Sequence, residues 1–207
     1  MTMLRTTLLL AVFVLLPVAA EARQDRPAST RGQAATHFGG EFPATGAYQG
    51  GHWIDVEYGR PILRARHGIF GSGEAYGNGL LAGAPIWRIG ADRTTTFTTG
   101  VDLMWEGGRL PAGEYTIFAD LAADGWTLIF TTWGVKQSFQ EENPDALWGA
   151  YGYTTERDVL RTRMAVATHP VSADQLIITF TDMTREGGNS TIWWDNQIAT
   201  APFSIAP

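Results

Sequence analysis

Two arginines are the side chains of this 207-residue sequence best placed to do chemistry. Arg60 stands in Tyr58-Gly-Arg-Pro61 and Arg88 in Ile86-Trp-Arg-Ile89, each beside aromatic or apolar neighbours. A guanidinium in such surroundings needs a partner, because an unpaired buried charge is costly. Asp92, four residues past Arg88, can supply a bidentate carboxylate. Two uses follow. In the first, Arg88 and Asp92 form an ion pair that pins loops to the body of the fold, the commoner fate of arginines with a carboxylate so near. In the second, Arg60 or Arg88 grips an anionic or polyhydroxylated ligand, Asp92 adds a polar contact, and Trp87, Trp148 or Tyr151 offers a ring for stacking.

Other chemistries find less support. His52, His67 and His169 lack the HxH or HExxH spacing that brings metal ligands together, so neither a metal nor a cofactor is expected. Asp55 and Glu57 share one strand face about 7 Å apart, which reads first as an ordinary solvated surface. Six glycines between Gly68 and Gly83 loosely imitate a phosphate-binding loop, but with the wrong spacing and no βαβ unit around them. There is no Gly-x-Ser-x-Gly elbow and no cysteine nucleophile. A triad is defined by geometry and not by order, so a hydrolase using His52, His67 or His169 stays open as an alternative.

The elements that must position these residues read as strands. In His52 to Tyr58 the residues Ile54, Val56 and Tyr58 alternate with Trp53, Asp55 and Glu57, a period of two. Thr94 to Thr98 and Val101 to Trp105 are short β-prone runs. Leu110-Pro-Ala-Gly113 is a turn leading into Tyr115, Ile117 and Ala119 on one face. Asp124-Gly125 then sets a hairpin into Trp126, Leu128 and Phe130. Val159 to Thr168, Gln175 to Thr181, Thr191 to Asp195 and Ile198 to Ile205 complete the set. Short strands bounded by Gly and Pro turns predict an all-β fold, an antiparallel β-sandwich of jelly-roll or immunoglobulin-like type. Gly68 to Gly83 and Thr131 to Gly149 are expected to be long loops, which in compact domains are commonly functional. The tryptophans divide by phase: Trp126 is core, Trp193 and Trp194 must point to opposite faces, and Trp53 shares the outward face of Asp55 and Glu57.

The N-terminus reads as an address. Arg5, the apolar run Leu8 to Ala20 and Ala20-Glu21-Ala22 fit a cleaved export signal over residues 1–22. The run is too short to cross a bilayer, for which roughly 20 residues are needed. Residues 23–47, rich in Ala, Gly, Ser, Thr and Arg, read as a disordered linker, and residues 48–207 as a single domain. A net charge of −6 without a Lys/Arg cluster argues against nucleic-acid or membrane-surface partners. Export and the absence of cysteine together predict a periplasmic or extracellular protein whose core holds the fold without disulfides.

Three segments resemble a family of exported bacterial proteins known as domain of unknown function 2911: Tyr58-Gly-Arg-Pro61, Trp87-Arg-Ile-Gly-Ala-Asp92 with Thr94-Thr-Thr96, and Leu110-Pro-Ala-Gly-Glu-Tyr-Thr-Ile-Phe118. The resemblance continues through Trp126-Thr-Leu-Ile-Phe130, Trp148-Gly-Ala-Tyr151 and Asp158-Val-Leu-Arg161. It implies no catalytic role, because the family has no assigned activity. Against its pattern Asp92-Arg93 stands where Asn-Glu is expected, and the glycine loop before Trp87 is lengthened. The sequence therefore points to a non-catalytic exported β-sandwich that binds a small polar or glycan-like ligand, with a His-containing hydrolase and a structural envelope protein as its rivals.

Overall fold

The computed structural model describes residues 27–207. The expected export signal, residues 1–22, lies outside them. Eleven strands are present among the described residues: β1 (Thr30–Phe38), β2 (His52–Arg60), β3 (Thr95–Thr99), β4 (Leu103–Trp105), β5 (Gly108–Leu110), β6 (Gly113–Ala122), β7 (Gly125–Thr131), β8 (Gly134–Val135), β9 (Ala146–Leu147), β10 (Asp158–Thr181) and β11 (Gly187–Ile205). Nine of them form one antiparallel sheet in the order β1-β2-β3-β6-β7-β10-β11-β4-β5, and β8 pairs with β9 in a separate two-residue ribbon. No helix among the described residues is long and apolar enough to cross a membrane. The fold is the expected all-β sandwich.

The sheet becomes a sandwich because its two longest strands bend. The first part of β10 pairs with β7 from Asp158 to Met164, and the rest pairs with β11. Between Thr168 and Ile177 that second ladder twice slips register, and Pro170, which has no N–H to give, falls inside the break. Asp195 opposes the break with a left-handed φ of 50°. Irregularities of this kind kink a strand pair and increase its twist, and the wing β11-β4-β5 folds back over β1-β2-β3. Tyr58 on β2 spans the gap: its hydroxyl accepts the Ile178 amide of β10 at 3.0 Å. The chain just past β2 also pairs with distal β10, through Leu63 N–H to Asp174 O at 2.7 Å and Leu176 N–H to Pro61 O at 3.0 Å.

Two corrections to the sequence reading concern β1 and the long strands. Thr30–Phe38 lies within the stretch expected to be a disordered linker, yet every one of its nine residues pairs with β2. Its small inward residues hid it. Gly32 lies beneath the Arg60 side chain, where a Cβ would fall 2.4 Å from Arg60 Cδ, and Phe38 is the one large apolar anchor. The four predicted C-terminal strands are in fact two, since β10 and β11 run continuously through their irregular stretches.

The main core lies between the wings and is aromatic. Phe70, Trp87, Trp126 and Trp194 meet there, with Trp87 and Trp194 stacked at 6.3 Å and 5° and Phe70 stacked on Trp126 at 5.2 Å. Phe70 arrives from the glycine-rich segment, which is folded around a 3-10 turn (Gly73–Ala75) and a one-turn helix, α1 (Asn78–Leu81). A smaller cluster on the outer side of β6 and β7 joins Ile86, Phe118, Ile129, Leu147 and Tyr153 under the 131–157 connection. Truncating Trp126, which is fully buried, is expected to cost about 3–5 kcal/mol. The check is urea unfolding of Trp126→Ala, with a lower midpoint at unchanged slope.

Candidate functional site

The segment Ile86–Ile89 alternates between the two cores, and this decides the fate of most sequence-predicted site residues. Trp87 is paired with Ala119 of β6 by two backbone hydrogen bonds, at 2.9 and 2.8 Å. Its side chain therefore points inward, where it is 1% exposed. It cannot offer a face to a ligand, a correction to its expected stacking role. Arg88 points the other way and lies over Gly149, where a Cβ would sit 2.8 Å from its Nη1. Its Nε donates to Gly90 O at 3.4 Å. Asp92 is exposed in a left-handed conformation, φ 61°, and makes no ion pair with Arg88 among the described residues. The anticipated Arg88–Asp92 bridge is absent because the chain turns at Gly90 between them.

Trp148 is half-buried, and Tyr151 is exposed with its hydroxyl donating to Ala82 O at 2.9 Å. Arg88 thus meets the Trp148–Tyr151 turn through Gly149, while Arg60 lies apart on the inward face of β2. There its Nη2 reaches Thr30 Oγ1 at 3.4 Å beside a cavity of about 450 Å3 lined by Thr30, Ile62 and Gln175. Its Nε is buried without a partner among the described residues. The six predicted residues do not converge on one concavity.

What the segments around these residues do is hold the loops down. Thr94 Oγ is in reach of both Leu147 O and Gly149 O, at 2.9 Å each. Thr95 Oγ reaches Arg88 O at 3.1 Å and Ile89 O at 3.0 Å. Gly59 passes so close beneath residue 91 that a Cβ would stand 2.1 Å from Ala91 O. Tyr115, after the Leu110-Pro-Ala-Gly113 turn, bonds back to Pro111 O at 2.8 Å. Asp102 accepts the Ala112 N–H at 2.7 Å and pairs with Arg109; the backbone donor first and the guanidinium second lower its pKa.

At the rim of the small cluster, Tyr153 donates to Asp158 within 2.9 Å, and Arg161 bonds the same carboxylate at 2.8 Å. Burial first, and then the Asp158 carboxylate, push the Tyr153 hydroxyl up to about 12.

A concavity of about 390 Å3 lies on the outer face of β1, β2, β3 and β6. The registers Gln33↔Glu57, Glu57↔Thr96, Asp55↔Thr98 and Thr98↔Glu114 lay these side chains out as a polar grid across four strands. Arg31 reaches Glu57 at 3.4 Å and Gln33 reaches Asp55 at 3.3 Å. One end is closed by Arg93, whose Nη1 bonds Gln137 Oε1 at 2.5 Å. Two guanidinium groups and three carboxylates thus share an open groove with threonine hydroxyls and amides. Asp55 and Glu57 were visible in the sequence as a same-face pair. Their partners were missed, although the phase of Thr96 and Thr98, opposite to the buried Thr95, Phe97 and Thr99, marks the outward positions. Among the described residues no group of three or more His, Asp or Glu is placed to hold a metal ion.

An all-β sandwich with motif-locked loops and an uncovered polar sheet face is the class of protein these features define. The chain belongs to the family described as protein of unknown function (DUF2911), whose model matches residues 43–203. No curated protein and no solved structure matches it. The matched span begins after β1, so Arg31 and Gln33 lie outside it.

Tyr153 gives a test of the packing around the motifs. An ordinary tyrosine ionises near 10.0, so the unfolded chain loses this proton before the folded one does. The stability due to its neutral hydroxyl is intact below pH 10 and is lost as pH rises towards about 12. Urea unfolding across that window is expected to show a steeper loss for the wild type than for Tyr153→Phe; parallel curves would reject the assignment.

Proposed function

We propose that this chain is an exported binding protein whose outer-face groove takes a small, neutral, polyhydroxylated ligand of glycan type. The observation that carries the reading is the grid of Arg31, Asp55, Glu57, Thr96, Thr98 and Glu114, fixed by strand register. Strands hold their side chains more precisely than loops do. Carboxylates accept from hydroxyl groups, guanidinium and amide groups donate to them, and charge-assisted bonds of this kind are the stronger ones. The excess of carboxylates disfavours phosphorylated or acidic ligands. An open groove with few apolar walls fits weak, exchangeable binding more than tight enclosure. The apolar run Leu8 to Ala20 ahead of Ala20-Glu21-Ala22 supports export to the periplasm or the medium. Arg88 and Arg60 serve in this reading as packing residues flanking the sheet.

The test is calorimetric titration of residues 23–207 with neutral tetrasaccharides, β-1,4-linked glucose and β-1,4-linked N-acetylglucosamine among them. Binding by at least one is expected, with Asp55→Asn/Glu57→Gln weakening it about tenfold, or roughly 1.4 kcal/mol. Thermal stability should stay within about 0.5 kcal/mol of wild type, because both residues face solvent. Absence of binding by every sugar would overturn the reading.

A further inference from the structure

We infer that the groove continues into an aromatic subsite on Trp53, closed by the flap between β1 and β2, and that this subsite stacks one pyranose ring of the ligand. The inference rests on the proposed function and names the part of the ligand that the polar grid alone leaves undefined. Trp53, Asp55 and Glu57 occupy one face of β2 in succession, so the indole begins the same row that the carboxylates continue. Across the ladder His37 faces Trp53 in register, with ring centroids 4.6 Å apart. Tyr48 stands 4.9 Å from His37, and Phe42 stands 4.8 Å from Tyr48. Four rings therefore step from the sheet onto the connection Gly39–Gly51. Three of them are openly presented: Phe42 is 77% exposed, Trp53 57% and Tyr48 39%. A concavity of about 580 Å3 lies against the flap, lined by His37, Phe42 and Tyr48 but not by Trp53, and there Glu41, Thr184 and Arg185 add polar groups.

The connection is built as a flap. Glu41 and Gln49 exchange both backbone hydrogen bonds at 3.0 Å, which zips its two arms together. Each arm joins the sheet through a glycine pair in the left-handed region: Gly39 and Gly40 at φ 64° and 74°, Gly50 and Gly51 at 74° and 81°. Only glycine adopts that conformation freely and leaves it again at little cost. At Gly40 a side chain would also strike Gln49 O at 2.8 Å and the Tyr48 ring at 2.9 Å. In the inferred subsite the two glycine pairs are the hinges of the flap, which carries Phe42 and Tyr48 beside the end of the row.

The chemistry selects the occupant. A pyranose has an apolar C–H face that packs on an aromatic ring and a rim of hydroxyls that donate to carboxylates. An exposed indole followed by two carboxylates on one strand face matches both. A fatty chain would cover Asp55 and Glu57 without pairing them, which carries a desolvation cost. A nucleotide would bring phosphate against Glu41, Asp55 and Glu57.

The experiment titrates residues 23–207 with the tetrasaccharides named above and with AMP, in wild type, Trp53→Ala, Trp53→Phe, Phe42→Ala and Asp55→Asn. Trp53→Ala is expected to lose at least tenfold in sugar affinity, Phe42→Ala severalfold, and Trp53→Phe to recover most of the loss. The amides of Glu41 and Gln49 should exchange with solvent faster than those of β2 and slow when sugar is bound. Sugar binding that Asp55→Asn weakens and Trp53→Ala does not would overturn the stacking subsite while leaving the groove intact. Binding of AMP in place of sugar would overturn the ligand class, and binding of neither would remove both readings.

Discussion

The fold depends on a seam of rings between the two wings of a single sheet. The chain has no cysteine, so nothing covalent keeps β11-β4-β5 folded over β1-β2-β3. Burial must do it, and the area removed from water by large aromatic side chains is the greatest available per residue. Trp126 comes from β7, Trp194 from β11, Trp87 from the segment paired to β6, and Phe70 from the glycine-rich loop. Four stretches distant in sequence therefore become neighbours in one cluster. Tyr58 adds a polar rivet to the same seam by bonding the Ile178 amide across the gap.

This constraint explains why most of the residues that carry the family resemblance do not line the groove, Thr94, Thr96 and Glu114 being the exceptions. Once Trp87 is committed to the inner core, its neighbours Ile86 and Arg88 must lie on the outer side, over β6 and Gly149. The Thr95 hydroxyl stands about 3 Å from the carbonyls of Arg88 and Ile89 in their loop, and the Thr94 hydroxyl stands 2.9 Å from those of Leu147 and Gly149 in the connection above it. Gly59, Gly90 and Gly149 are glycines because other backbone or side-chain atoms stand where a Cβ would go. The motif is thus an apparatus for sealing one half of the outer face. The other half, over β1, β2 and β3, is left uncovered.

The division between what could and could not be read from the sequence follows the same physics. Strand identity and phase were legible wherever large residues alternate with polar ones, as in His52 to Tyr58 and across the Asp124-Gly125 hairpin, whose register is observed as Ala122↔Gly125. β1 was not legible, because Gly32 must be small beneath the Arg60 side chain and its other inward residues before Phe38, Thr30, Ala34 and Thr36, are small too, which looks like linker. The Arg88–Asp92 pair failed for a local reason: spacing of four suits a helix or a regular turn, whereas here Gly90 at φ 156° and Asp92 at φ 61° redirect the chain. The groove itself was half legible. Same-strand neighbours such as Asp55 and Glu57 can be seen in one dimension, but Gln33, Thr98 and Glu114 join them only through pairing with strands up to sixty residues away.

A polar grid on an exposed strand face is by itself an ordinary way to meet water. Its significance here comes from what accompanies it. Trp53 packs on His37 and Phe42 on Tyr48, yet neither reaches the core, and exposed rings invite aggregation at a sheet edge. Nor does a connection of this length need two left-handed glycine pairs when one tight turn would join β1 to β2. Large rings held in water at the end of a charged row work against solubility. In the proposed reading a ligand with an apolar face and a hydroxylated rim offsets that cost, because it covers the rings and pairs the carboxylates together.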